Sequence, residues 1–428
     1  LHVRSRRQRQ MCIRDSDRNL PRAASTLGAR PGTAFWKIYF PLSMPGVAAA
    51  AIMVFVTAIG FFITPALLGG RKETMITQII IDQVQQTMNW EFAGAVSVLL
   101  LVVVLAVFAL YDKILGLSTM TGGSASRPRT SSKPGLMRRA GEALLDLLAS
   151  LSDRLFSLLP SRLRRSVSGT GQSRTLWWIV LAVLAFLSAP AFLMIPLSFD
   201  SGSGLTWPPK GFSLQWYEQM FTSPVWMQAI TRSLIVGVGT GLLAMLIGTP
   251  AAFLLVRADM RGKSAMLAFV LSPIVVPRMI IAVGMFYFFA RVGLVGSTIG
   301  LILAHTVVAV PYVVITMMAV LRNYDTRLDL AAQSLGAGPW STLRFVTFPI
   351  LSAGLMSSFL FAFATSFDEL TIALFASGGL NATLPKQFWD EVTLQISPVI
   401  AAVSTCLFIF IAALIWLADR LRRRSLAG

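Results

Sequence analysis

AASTLGA at Ala23–Ala29 returns as AAQSLGA at Ala331–Ala337. Each copy is followed at the same distance by Phe-Pro, at Phe40-Pro41 and Phe348-Pro349, and then by a long apolar run. The register extends well past the motif. Asp17 to about Gln86 falls on Asp325 to Leu394 without a gap, and after a slip of one residue Tyr111-Asp112-Lys113 falls on Ala418-Asp419-Arg420. A loop, a span, an outer loop and a second span therefore occur twice as one structural unit. Four further apolar runs precede the second copy and none precedes the first, so a parent with two six-span halves is expected, its first half N-terminally incomplete.

Hydrophobic residues make up 55% of the 428 and charged residues only 13%. With a mean hydropathy of +0.69, this composition places the chain in a bilayer. Runs long enough to cross it lie near Val47–Leu68, Phe92–Leu110, Leu176–Leu197, Ser233–Val256, Ala265–Ala290, Thr298–Leu321, Ile350–Ala376 and Val399–Ala418. They are continuously apolar and do not alternate, which predicts about eight transmembrane helices in an all-α membrane protein, two in the first half and six in the second. The net charge of +18 would fit nucleic acid only if gathered on one folded surface, whereas here the basic residues cluster between apolar runs.

Those clusters set an orientation. Arg257, Arg261 and Lys263 share one loop, Arg322, Arg327 and Arg344 the next on that side, and Arg420, Arg422, Arg423 and Arg424 the tail. Opposite loops carry little beyond Lys210, Arg291 and Lys386. The positive-inside rule makes the first set cytoplasmic, together with the C-terminus and both repeat loops.

Four segments follow. Residues 1–16, LHVRSRRQRQMCIRDS, lack an initiator Met and any apolar stretch of signal-peptide length, and are expected to be a non-native leader on a chain that starts mid-gene. Residues 17–117 form the C-terminal part of the first half, 118–174 a basic cytoplasmic linker, and 175–428 a complete second half. Within the linker Leu144, Leu147, Leu148, Leu151, Leu155 and Leu158 fall at helical spacing, interrupted by Glu142, Asp146, Asp153 and Arg154. Both an interfacial amphipathic helix and a plain tether fit this pattern. Cys12 and Cys406 imply no disulfide framework.

In the second copy Thr326 and Asp329 have capping-box spacing, Gly336 and Gly338 suit a helix end, Pro339 suits the first position of another helix, and Pro349 marks the entrance to the next span. A helix, a tight turn and a helix at the membrane surface are predicted. The small residues Ala331, Ala332 and Gly336 would let another protein's backbone approach. A loop packed only on its own chain is the alternative for a single copy, but two equivalent loops fit a two-fold partner.

This pattern resembles the EAA loop of binding-protein-dependent ABC importer permeases. The resemblance implies a type I ABC importer transmembrane fold, a loop seated on a cytoplasmic ATP-binding subunit dimer, a periplasmic substrate-binding protein as second partner, and the bacterial inner membrane as location. The matching positions are Ala331, Ala332 and Gly336, and Ala23, Ala24 and Gly28. The leading Glu of the family is replaced by Leu330 and Arg22, with Asp329 adjacent in one copy and Pro21 in the other. Within the family the chain looks most like a spermidine/putrescine permease pair joined head to tail. The carriers of that likeness are Gly211-Phe-Ser-Leu-Gln-Trp-Tyr217, Arg257-Ala-Asp-Met-Arg-Gly-Lys263 and Ser366-Phe-Asp-Glu-Leu370. Relatives for ferric iron, thiamine or phosphonates share much of this, so the solute stays open. A secondary transporter and a non-transporting scaffold are the rival classes.

Gly262-Lys263-Ser264 ends like a P-loop, but Arg257 stands where the first Gly is required and no buried strand precedes it. ATP is therefore expected on a separate subunit, with no cofactor in this chain. No metal-ligand spacing and no nucleophile-base pair occurs, so an enzyme is not expected. Asp368 and Glu369 lie within the seventh run, where charge is expensive and faces a polar cavity or a partner. They would suit a cationic solute such as a polyamine. Pairing of one carboxylate with Arg278 or His305, purely to hold helices together, fits equally. The register positions in the first copy are Gly60 and Phe61.

Overall fold

The computed structural model describes residues 23–24, 26–70, 72–115, 136–158, 174–377, 381–394 and 397–427. The expected leader and the ends of the linker lie outside them. The described chain is helical, and an isolated bridge between Asp200 and Phe212 is its one strand-like pairing.

In chain order the helices are α1 (Pro31–Ala34), α2 (Phe40–Ile59), α3 (Ile63–Leu68), α4 (Ile76–Gln85), α5 (Trp90–Leu115), α6 (Leu136–Leu158), α7 (Arg174–Leu197), α8 (Gln215–Thr222) and α9 (Pro224–Arg257). They continue as α10 (Lys263–Val275), α11 (Arg278–Val292), α12 (Thr298–Arg322), α13 (Arg327–Ser334), α14 (Pro339–Thr342), α15 (Phe348–Phe367), α16 (Thr371–Ala376), α17 (Leu384–Leu394) and α18 (Val399–Ala427). The repeat read in the sequence is a repeat of structure. α1, α2 and α3 have the bounds of α14, α15 and α16 at the register set by Ala23 and Ala331. A π-helical turn also recurs in register, at Phe35–Tyr39 and Leu343–Thr347, where each loop joins its span.

Among the described residues five helical stretches are long and apolar enough to cross a membrane: Trp90–Leu110, Leu176–Leu197, Pro224–Arg257, Thr298–Arg322 and Pro339–Phe367. A bent pair, α10 and α11, meeting at 99°, makes a sixth if the two are counted as one broken span, and is otherwise a re-entrant loop. The run Ala265–Ala290 is thus not one straight span. Pro277 has no N–H to donate, and the preceding Val276 is extended at ψ 127°, as a residue before proline prefers. The first and last runs contain shorter apolar helices, Ala50–Ile59 and Val399–Leu414. The first run is interrupted at Gly60–Phe62 and the seventh at Asp368–Leu370.

Contacts divide the chain into two units, residues 1–55 with 105–185, and residues 56–104 with 186–428. In the second unit α9, α12 and α15 pack around Ala244, Ala252, Leu255, Val313, Met317 and Leu351. Small residues permit this proximity. A Cβ on Gly241 would lie 2.7 Å from Phe359, and one on Gly248 2.8 Å from Val313, the close approach by which membrane helices associate without a hydrophobic drive. At 34 residues α9 is about 51 Å long, well over the hydrocarbon thickness. In the first unit α6 packs on α1 and on the π-turn that follows it.

Candidate functional site

The two repeat loops close in the same way. Gly28 and Gly336 are left-handed, at φ +85° and +89°. The N–H of the following residue reaches back to the helix, Ala29 to Ala24 O and Ala337 to Ala332 O, both at 3.0 Å. This is the 6→1 bond of a Schellman end. It leaves Leu27 and Leu335 each 89% exposed at the tip. Ala23 and Ala331 are exposed, Ala332 is half-buried and Ala24 is buried. Gly338 is not left-handed; at φ −69° it precedes Pro339, which opens α14.

Thr326 stands at the N-cap of α13, but its side chain caps nothing. The carboxylate expected to complete the capping box is turned inward. Asp329 is buried, accepts from the Tyr324 hydroxyl at 2.5 Å and the Thr347 hydroxyl at 2.9 Å, and pairs with Arg257 at 2.9 Å. The Arg257 guanidinium stacks on Phe253 and Tyr324. Burial, reinforced by the Asp329 carboxylate, pushes the Tyr324 phenol above its ordinary value, so it remains a donor. The loop after α12 is thereby tied to the end of α9. These partners escaped the sequence reading because Arg257 was legible only as an orienting charge.

The second polar feature lies at the break between α15 and α16. Glu369 is fully buried, and its Oε2 pairs with Arg278 Nη1 at 2.8 Å while its Oε1 accepts the Ile372 N–H at 3.1 Å. Arg278 opens α11 just past the 99° bend, so one ion pair joins two interrupted helices. His305 does not join it. Its Nδ1 is 2.9 Å from the Ser366 hydroxyl, which continues to Thr240 at 3.3 Å. Asp368, by contrast, is exposed and forms no salt bridge among the described residues.

Asp368 is the charged group on a cavity of about 790 Å³ lined otherwise by Ser357 and by apolar and aromatic side chains, including Phe361, Phe367, Phe388 and Trp389. Adjacent carboxylates therefore differ in kind: one is neutralised within the protein and one faces open space. Phe388 and Trp389 come from α17, whose apolar spacing Leu384, Phe388, Val392 is the signal in the sequence that marks this face. Gly60 and Phe61, the register positions in the first copy, also sit at a helix break but carry no charge.

The family model for binding-protein-dependent transport system inner membrane components matches residues 3–116 and 244–426. The spermidine/putrescine transport system permease protein PotC of Haemophilus influenzae is 30% identical over 247 residues, covering 58% of this chain and 95% of that protein. The putrescine transport system permease protein PotI of Escherichia coli K12 is 31% identical over 242 residues, covering 54% and 85%. Among solved structures, a bacterial ABC transporter involved in import of the acidic polysaccharide alginate aligns with a TM-score of 0.47 at 15% identity, over 60% of this chain and 98% of that one. With more than half of its length matched, the chain belongs to the binding-protein-dependent transport system inner membrane components, as an ABC importer permease and not an enzyme.

Proposed function

We propose that this permease imports a polyamine such as spermidine or putrescine, received from a periplasmic binding protein and driven by a separate ATP-binding subunit dimer. The observation that carries the solute is Asp368 on the aromatic-lined cavity. A polyamine presents ammonium groups joined by methylenes. One carboxylate suits one ammonium, and the ring faces suit both the methylenes and a second cation. Because Arg278 already neutralises Glu369, the cavity presents a single negative charge. The polyamine relatives point the same way.

Ala23, Ala24, Gly28, Ala331, Ala332 and Gly336 are the coupling residues in this reading, on two cytoplasmic loops with rigid glycine-closed ends and exposed leucine tips. The C-terminus lies on the same side. Residues 17–117 then act as the end of a first permease half, 118–174 as the linker and 175–428 as the second half. The decisive test is putrescine uptake in vesicles holding the chain, its ATPase and its binding protein. Asp368→Asn raises KM at least tenfold, about the worth of one charge-assisted hydrogen bond. An unchanged KM in a normally assembled variant refutes the assignment.

A further inference from the structure

The two loops are held differently. The second carries its own anchor, Asp329, bound to Thr347 and Arg257. At the register of Asp329 the first copy has Pro21, and at that of Thr347 it has Tyr39, so neither partner of that bond exists there. Instead a carboxylate arrives from the linker. Asp153 of α6 accepts the Gly32 N–H at 2.8 Å through Oδ1 and the Thr33 hydroxyl at 2.7 Å through Oδ2. Asp146, two turns earlier on the same face, pairs with Lys37 at 2.6 Å.

Residue choice in the loop matches this approach. A Cβ on Gly32 would collide with Ser152 and lie 2.6 Å from Asp153 Oδ1, so the linker helix fits only against glycine. The corresponding residue of the second copy is Trp340, which is 70% exposed and would exclude such a helix. The leucine stripe of α6 does not explain the docking either. Leu144, Leu147, Leu151 and Leu155 are all exposed, while Ala149, between the two aspartates, is buried. The acidic face, not the apolar one, is what meets the loop.

We infer that α6 is a brace for the first coupling loop, and that Asp153 is a positioning residue supplying from the linker the carboxylate anchor that the second loop carries as Asp329. The linker is then a working part of the first half. Its importance for transport rests on the coupling role proposed above, whereas the brace itself does not.

The test places a nitroxide label at Leu27→Cys or at Leu335→Cys in the full chain, with Cys12 and Cys406 replaced by Ser, in liposomes. Asp153→Ala raises the mobile fraction at position 27 about fivefold, the effect of losing one capping carboxylate, and leaves position 335 unaltered. Gly32→Trp does the same, and Asp153→Glu retains part of the immobile component. No change at position 27, or equal change at both, overturns the inference. A second measurement leaves Asp153 intact: the distance between labels at Leu27→Cys and Leu151→Cys is narrowly distributed if α6 is docked, and a broad distribution overturns the brace. If purified ATPase immobilises neither loop label, the coupling reading fails while the brace stands.

Discussion

Arg278 and Glu369 form an ion pair whose two members are unequally placed, and this makes their substitutions unequal. Glu369 is 0% exposed at its side chain and Arg278 42%. Arg278→Met strands a buried carboxylate with only backbone N–H groups, those of Ile372 and Thr371, as partners, and removal of one member of a buried pair costs about 3–5 kcal/mol. Glu369→Gln leaves a half-exposed arginine that keeps Tyr312 as a hydrogen-bond partner, and the new amide oxygen can still accept from Ile372. That change costs about 1 kcal/mol, the net value of an ordinary hydrogen bond. The double variant Arg278→Met/Glu369→Gln has no buried charge and returns to within about 2 kcal/mol of the parent, because a neutral site avoids the desolvation penalty. Equilibrium unfolding in mixed micelles by a denaturing detergent, followed by tryptophan fluorescence, measures all three. Equal costs for the single variants, or a double variant no better than Arg278→Met, would refute the argument that burial of Glu369 governs this break.

Two further outcomes follow from groups outside the spans. Backbone N–H bonds from Gly202 and Lys210 hold the Asp200 carboxyl below its ordinary value against the opposing effect of burial; the stabilisation is thus full above the unfolded pKa near 4 and lost as pH falls through the lower folded value. Amide exchange of the 200–213 segment, corrected for intrinsic rates, should accelerate only under acid conditions, and Asp200→Asn should abolish that dependence; equal protection at pH 3 and pH 6 in the parent contradicts it. At the loop tip Gly336→Ala meets open space but keeps a left-handed backbone, a strain of about 1 kcal/mol that lowers ATPase affinity about fivefold, while Gly338→Ala at φ −69° leaves it unaltered; equal effects at the two positions would show that conformation is not what matters.

The repeat was legible because identical spacing forces identical local geometry: Gly28 and Gly336 take the same left-handed turn, and α2 and α15 begin and end in register. The charged residues at the seventh run were legible as a problem needing a partner, and Arg278 among the alternatives is the one that pairs. Hydropathy averages over direction, so it could not register the bend at Val276-Pro277, which leaves both flanks equally apolar. Asp329 misled for a related reason. Spacing shows which groups are near in the chain, whereas this carboxylate is claimed by Thr347 and by Arg257, the latter from a different helix. The aspartates of α6 read as interruptions of an apolar stripe, yet their partners Gly32, Thr33 and Lys37 lie more than a hundred residues away.

The break before α16 has a twin before α3, and the twin has no charge in it. Gly60, Phe61 and Phe62 interrupt the first copy where Asp368, Glu369 and Leu370 interrupt the second. The discontinuity is therefore a property shared by both copies of the backbone and does not depend on the carboxylates that occupy one of them. A chain built this way can exchange the chemistry at the gap while the flanking helices keep their bounds. If Asp368 meets the cargo as proposed, a change of cargo requires substitutions at a few positions of this gap and no new architecture.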